Sequence, residues 1–337
     1  MTQFSFSASS PAQYDVIGIG NALVDVLSQT TESFLSEQYQ KCGMERGSMN
    51  LVSEERALDL YSQMGPAIEM SGGSVANSMA HLAALGGRAA YIGKVADDQL
   101  GDVFAHDMKS MGIAYTTERL MFSAKTGRCM ILVSDDATRT MNTYLGAATQ
   151  LGINDVHADM IAASSITFME GYLFDAPHCK QAFYTAGTIA NEAGRKVALS
   201  LSDLFCVERH HADFKNLIEN HIDILFANET EIKALSKTDE LDGALSTVRN
   251  KCDIVVVTLG AKGSVILSGD DTYDIKSVTP EKLVDTTGAG DAYAAGFLYG
   301  LTKGLPLTEC GTIAARNATS VLGYMGPRPM KKAAAAA

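Results

Sequence analysis

The sequence predicts an α/β fold in which a mostly parallel sheet carries helices on both faces and a small β unit stands apart from it. From Ile166 onward, short apolar runs alternate with helical patterns: strand Ile166 to Glu170, helix Pro177 to Ala193, strand Lys196 to Leu201, helix Val207 to Asn220, strand Ile222 to Ala227. That alternation needs crossover connections and therefore parallel pairing. Between Tyr115 and Tyr144 the pattern changes. Residues 127–133 and 138–144 alternate or carry β-branched side chains around the turn-like Ser134-Asp135-Asp136, a hairpin outside the alternation.

Length and composition bound what such a fold can do. The 337 residues are 46% hydrophobic, ample for a large buried core in one domain or two. The net charge of −12 is spread along the chain, and no Lys/Arg cluster occurs beyond Met330-Lys331-Lys332. This argues against nucleic-acid and anionic-membrane partners, and an anionic ligand would need a local positive site. Six widely spaced cysteines without a C-x-x-C pair read as reduced thiols of a cytoplasmic protein, with neither a zinc site nor a disulfide framework. No basic stretch followed by a long apolar one opens the chain, and no 18-residue apolar run occurs in it. The expectation is neither secretion nor membrane spanning. Residues 331–337, ending in the run Ala333 to Ala337, are set aside as a tail.

In chain order, Tyr14 to Gly20 reads as a buried first strand, with Asn21 and Asp25 just beyond it. Gly18-Ile19-Gly20 opens a dinucleotide-binding fingerprint, but Leu23 stands where the third glycine is needed for close helix packing. A helix is predicted over Glu54 to Gly65. Then Ser71-Gly72-Gly73-Ser74-Val75-Ala76-Asn77 turns into a second helix with apolar positions Val75, Met79, Leu82 and Ala83. Gly72 and Gly73 allow close backbone approach to a polar ligand, and Asn77 can hydrogen-bond vicinal hydroxyls; a tight packing turn with a solvent-facing Asn is the equal alternative. Ala89 to Val95 reads as a strand, and Asp98 to Met111 as a helix closed by Gly112. Arg139, in the hairpin, is either a phosphate clamp or a strand Arg paired with a carboxylate.

Gly20-Asn21, Asn228 to Glu231, Leu259-Gly260 and Gly288 to Asp291 each follow a predicted strand, at the end of a parallel sheet where ligands bind. Asn228 and Glu231 fall on one side of a first helical turn, suited to holding Mg²⁺ directly or through water, or simply to starting a helix. Asp253 to Leu259 is the clearest apolar strand, and no G-x-x-x-x-G-K-[ST] loop is present. Asp285-Thr286-Thr287-Gly288-Ala289-Gly290-Asp291 joins a strand-like run, Lys282 to Val284, to a helix. Its glycines and first-turn amides make an anion site, with the Asp291 carboxylate placed either as a base or as a cap. Helices over Asp291 to Lys303 and Leu307 to Leu322 complete the chain.

Gly72-Gly73 with Asn77, Asn228-x-x-Glu231 and Asp285 to Asp291 resemble, in order and approximate spacing, the signatures of the PfkB (ribokinase-like) carbohydrate and nucleoside kinases, over roughly Tyr14 to Leu322. The resemblance implies a ribokinase-like three-layer α/β/α sandwich with a mostly parallel central sheet and a small β-sheet lid. It implies a single domain, 1–330, with lid segments near 40–53 and 114–145, present as monomer or homodimer. It implies ATP and Mg²⁺, with K⁺ as a further cation at Asp285. Asp291 would be the general base, the amides of Gly288, Ala289 and Gly290 the anion hole, and Arg139 the clamp on the transferred phosphate. Asn21, Asp25, Gly72, Gly73 and Asn77 would hold the acceptor. Thr258, Gly260, Gly263, Asn228 and Asn317 would bind the nucleotide, with Asn228 and Glu231 organising Mg²⁺ through water.

Gly20 to Asp25, Leu199 to Phe205 and Asp223 to Glu231 resemble the adenosine kinase branch of that family, in which an aromatic near Phe205 and lid residues sandwich the purine; Tyr172, Met49, Leu51 and Met141 occupy comparable places. The expected reaction is transfer of the γ-phosphoryl group of ATP to the 5′-hydroxyl of a ribonucleoside, adenosine by preference. A kinase of ribose, fructose or 2-keto-3-deoxygluconate and a non-catalytic binding regulator are the alternatives.

Overall fold

The structure is a computed structural model that describes residues 11–329. The expected tail, 331–337, lies outside the described residues. Among the described residues fourteen strands occur, in the order β1 (Tyr14–Ile19), β2 (Leu23–Gln29), β3 (Met49–Leu51), β4 (Ala67–Gly72), β5 (Ala89–Ile92), β6 (Ala114–Tyr115), β7 (Thr126–Val133), β8 (Arg139–Gly146), β9 (Ser164–Glu170), β10 (Lys196–Ser200), β11 (Ile224–Asn228), β12 (Ile254–Thr258), β13 (Ser264–Ser268) and β14 (Asp271–Ile275).

Nine of them form the main sheet, ordered β14-β13-β12-β11-β10-β9-β1-β5-β6, and the other five form a second sheet, ordered β3-β8-β7-β2-β4. From β6 to β12 every pairing in the main sheet is parallel; the β12–β13 and β13–β14 pairings at one edge are antiparallel. The parallel strands are mostly apolar because both faces are covered. One face packs beneath the helices Pro177–Glu192, Leu204–Arg209, His211–His221 and Glu229–Ser236. The other packs beneath Ser74–Ala84, Gln99–Ser110, Ala289–Thr302 and Leu307–Val321.

Several local expectations change. A strand not foreseen starts just beyond β1: Leu23 begins β2, which lies in the small sheet and pairs with β4 and β7. β4 was not foreseen either. Lys282 to Val284 is not a strand, because its main-chain tie is to the end of the last helix, Val284 N–H to Leu322 O at 2.8 Å, with no strand beside it. The helix expected from Val207 begins at Leu204, where Asp203 caps it by accepting from Cys206 N–H, and breaks at His210. All six cysteines are free. Among the described residues no helix is long and apolar enough to cross a membrane.

Candidate active site

The strand order reverses at β1, with β5 on one side and β9 on the other. The carboxyl end of β1 therefore opens on the crevice that such a reversal leaves. Three segments meet there: Gly20-Asn21 after β1, Glu170 at the end of β9, and the start of helix Ser74–Ala84 after β4. Glu170 fastens them. Its Oε1 accepts from the backbone N–H and the side-chain amide of Asn21, each at 2.8 Å, and its Oε2 accepts from Val75 N–H at 2.8 Å. Burial pushes this carboxyl up to about 7, against the N–H donors that favour its anion. Gly73 has φ +92°, and a Cβ there would run into the Asn21 carbonyl oxygen. Only glycine brings the helix this close to β1.

Opposite, helix Ala289–Thr302 starts after Gly288, which has φ +77°. Its first-turn amides lack intrahelical acceptors, and Gly288, Ala289, Gly290 and Asp291 all line one cavity of about 710 Å³. A Cβ at Gly290 would meet nothing within 4 Å. Packing does not demand glycine at this position, so the missing side chain serves to keep space open in front of the helix. Asp291 faces the same cavity. Its Oδ1 accepts from Ser74 Oγ at 2.6 Å and its Oδ2 from Asn77 Nδ2 at 3.1 Å, while its carbonyl accepts from Ser78 Oγ at 3.0 Å. Burial raises the carboxyl above its ordinary value; Ser74 and Asn77, then the charges of Arg139 and Arg328, pull it back.

The small sheet closes the cavity. Leu23, Met49, Cys129, Ile131, Met141 and Leu145 give it an apolar wall, with Met49 and Met141 side by side in the β3–β8 pairing. Tyr172 closes one side, its hydroxyl donating to Ser202 O at 3.3 Å. The side chains of Asp25 and Arg139 project from the same sheet into the cavity, and neither side chain makes a hydrogen bond or ion pair among the described residues, so the carboxylate-paired alternative for Arg139 does not occur. Burial pushes Asp25 up to about 7, a lift opposed by Arg328 and Arg139 and reinforced by Asp291 and Asp285. A buried, unpaired carboxylate of this kind calls for hydroxyl donors from a ligand.

At the other end of the cavity lie Thr258, Gly260 and Gly263 at the β12 turn, and an apolar strip of Val278, Pro280, Leu283, Ala315, Ala318 and Leu322. Asn228 and Glu231 line the wall between the two ends and cap their own helix. Asn228 N–H and Nδ2 donate to the two Glu231 carboxylate oxygens at 2.9 and 2.6 Å, and Glu231 N–H donates to Asn228 Oδ1 at 2.8 Å. Burial pushes Glu231 up to about 7, and among the described residues its carboxylate accepts hydrogen bonds from the neutral Asn228 alone. That fits a divalent cation held through water. Among the described residues no three His, Cys, Asp or Glu side chains cluster as a metal site, so Mg²⁺ would draw its remaining ligands from water and phosphate oxygens.

Some expected site residues stand elsewhere. Phe205 is 42% exposed and Leu51 48% exposed, both outside the cavity wall; β3 turns Met49 inward and leaves Leu51 at the rim. Gly72 is buried behind the wall, where its missing side chain makes room for the Asp25 carboxyl. Asn317 donates to Ala292 O at 2.7 Å and ties the last two helices together, leaving its neighbours Ala315 and Ala318 to line the cavity. The Asp285 carboxylate is taken up by Thr287 N–H at 2.8 Å, Thr287 Oγ1 at 2.5 Å and Gly326 N–H at 2.9 Å. It shapes the loop before helix Ala289–Thr302 and does not line the cavity. Ser74, Ser78, Glu170 and Arg328 were not foreseen; Glu170 alone left a trace, as a carboxylate ending an otherwise apolar strand before Gly171.

A helix N-terminus and a carboxylate converging in a cavity that a β lid closes are the parts of a phosphotransferase with an alcohol acceptor, on a ribokinase-like fold. The chain belongs to the pfkB family of carbohydrate kinases, whose model matches residues 63–334. Among solved structures, it is similar to the adenosine kinase from Sinorhizobium meliloti, with a TM-score of 0.92 and 47% identity over 95% of this chain and 97% of that one. It is similar also to a probable sugar kinase from Rhizobium etli CFN 42, with a TM-score of 0.92 and 44% identity over 95% and 96% of the two chains. An adenosine kinase of Saccharomyces cerevisiae is 27% identical over 311 residues, 86% of this chain and 89% of that protein.

Proposed function

We propose that the protein transfers the γ-phosphoryl group of ATP to the 5′-hydroxyl of a ribonucleoside, adenosine by preference. The observation that carries the reading is the placement of the Asp291 carboxylate, anchored by Ser74 and Asn77 at the mouth of the helix Ala289–Thr302, between the lid's apolar wall and the Thr258 end of the cavity. Asp25 and Asn77 hold the ribose hydroxyls, and Met49, Met141 and Tyr172 flank the base. Asp291 takes the proton of the attacking hydroxyl, while the first-turn amides and Arg139 stabilise charge on the phosphoryl in flight. Mg²⁺, when held through water by Asn228 and Glu231, supplies neutralisation of the nucleotide phosphates.

The relatives also include 5-dehydro-2-deoxygluconokinases, and the exposed Phe205 withholds the expected stacking aromatic. Both favour a sugar kinase as the second reading. ADP release measured across nucleosides and sugars, with Mg²⁺ and K⁺ titrated, separates the two: the proposal expects kcat/KM highest for adenosine, and a higher value for a bare sugar overturns it.

A further inference from the structure

We propose that Arg328 is a positioning residue for the acceptor end of the site: its guanidinium fixes the Asn77 amide in the orientation that donates to Asp291, and its charge faces the two cavity carboxylates, Asp25 and Asp291. The inference rests on the reading of Asp291 as the base.

Residues 326–328 cross behind the site as a strap. Gly326 N–H donates to Asp285 at 2.9 Å, the Pro327 carbonyl accepts from His81 Nε2 at 2.9 Å, and Pro327 packs where a side chain on Gly288 would lie. Arg328 then turns inward and is buried. Its Nε donates to Asn77 Oδ1 at 3.1 Å and its Nη2 to Gly72 O at 3.4 Å, and the guanidinium lies 5.8 Å from the centre of the Phe104 ring. Asn77 thereby bridges two charged groups, its oxygen held by Arg328 and its Nδ2 given to Asp291. An amide whose oxygen is committed to a donor cannot flip, so Arg328 dictates which end of Asn77 meets the base.

The guanidinium is only partly satisfied where it lies: Nη2 reaches Gly72 O and, at 3.9 Å, Met108 Sδ, but Nη1 has no partner among the described residues, and Arg328 makes no ion pair within 4.0 Å. Burying a cation without an ion pair is costly. The groups around it are Asp25 from β2, Asp107 from helix Gln99–Ser110, Tyr91 from β5, Asp291, and His81, which burial keeps neutral. Around Asp291 stand Asp25, Glu170, Arg139 and Arg328, with Asp285 farther behind. Arg328 and Arg139 are the positive charges in that set, Arg139 from β8 of the small sheet and Arg328 from the 326–328 strap.

Arg328→Met and Arg328→Lys test this, with nucleotide affinity measured by calorimetry. In Arg328→Met we expect the acceptor KM to rise about tenfold, ATP affinity to hold, and the acidic limb of kcat/KM to move to higher pH, since a lost cation favours protonated Asp291. In Arg328→Lys the limb should return toward its original place while KM stays raised, because an ammonium lacks the Nε–H aimed at Asn77. An acceptor KM unchanged in both variants, or an equal loss of ATP affinity, overturns the proposal. If Arg328→Met does not fold, Arg328→Lys decides on KM alone. Full turnover in Asp291→Asn would instead remove the base itself, a separate result.

Discussion

Ser74 Oγ donates a 2.6 Å hydrogen bond to Asp291 Oδ1 and so joins the first turns of two helices that lie 217 residues apart in the chain. Asp291 is lifted by burial and held down by this donor and by Asn77, the balance a base working near neutral pH requires. Asp291→Asn should lower turnover at least ~100-fold, the scale of a positioned base, with ATP affinity kept. Ser74→Ala removes one donor to the anion; turnover should fall by roughly tenfold and the acidic limb of kcat/KM should move to higher pH. Steady-state kinetics from pH 5 to 9 check both, and an unmoved limb in Ser74→Ala would separate the hydrogen bond from the base.

Gly73 and Gly290 look alike in the sequence and differ in what they do. Gly73→Ala places a side chain at φ +92° against the Asn21 carbonyl, and should cost at least ~2 kcal/mol of stability in a denaturant titration. Gly290→Ala meets nothing within 4 Å. It should leave the unfolding midpoint in place and slow turnover, because the new methyl stands in the space before the helix amides. Equal stability losses in the two variants would contradict this division.

In the proposed mechanism Glu231 links Mg²⁺ use to pH-dependent stability. Its carboxyl rises from an ordinary 4.5 to about 7 by burial, as do Glu170, and Asp25 from 3.8. Between those values the folded chain holds protons that the unfolded chain has released. These three carboxyls therefore lower stability as pH climbs from roughly 4.5 to 7, while His81, held down to about 4 by burial, acts the other way up to about 6.5 and offsets part of the fall. Scanning calorimetry of the ligand-free protein should show Tm falling across that interval, and falling less in Glu231→Gln. In the same variant, half-saturating Mg²⁺ at fixed ATP should rise about tenfold, as for groups acting through metal-bound water. An unchanged Mg²⁺ curve would reduce the Asn228–Glu231 pair to a helix cap.

What the sequence revealed and what it hid divide along physical lines. The Gly288 to Asp291 turn and the Gly73 to Asn77 turn were legible because backbone conformation and helix starts are local properties. β2 was not, since Leu23-Val24-Asp25-Val26-Leu27 is buried on both faces and shows no clean alternation for a strand that leaves one sheet for another. Glu170 reaches Asn21 across 149 residues and Arg328 reaches Asn77 across 251; no periodicity records such contacts. Phe205 was misplaced for the converse reason. An aromatic next to a strand end is a local signal, whereas the side it faces is settled by helix Leu204–Arg209, which turns it to solvent.

In the proposed reaction the lid's inner face selects the acceptor. Met141 and Met49 present thioether side chains beside Ile131 and Leu145, a surface that rewards a flat apolar base and offers a bare sugar nothing. Met141→Asn should raise the KM for adenosine about tenfold, the equivalent of ~1.5 kcal/mol of lost apolar burial, and leave the KM of any bare sugar substrate within about twofold. Phe205→Ala, at an exposed position outside the cavity, should change neither. Kinetics with adenosine and with a panel of pentoses and ketoses check the pair. If Met141→Asn leaves the adenosine KM where it was, no base packs on the lid, and the kinase is to be read as acting on a sugar.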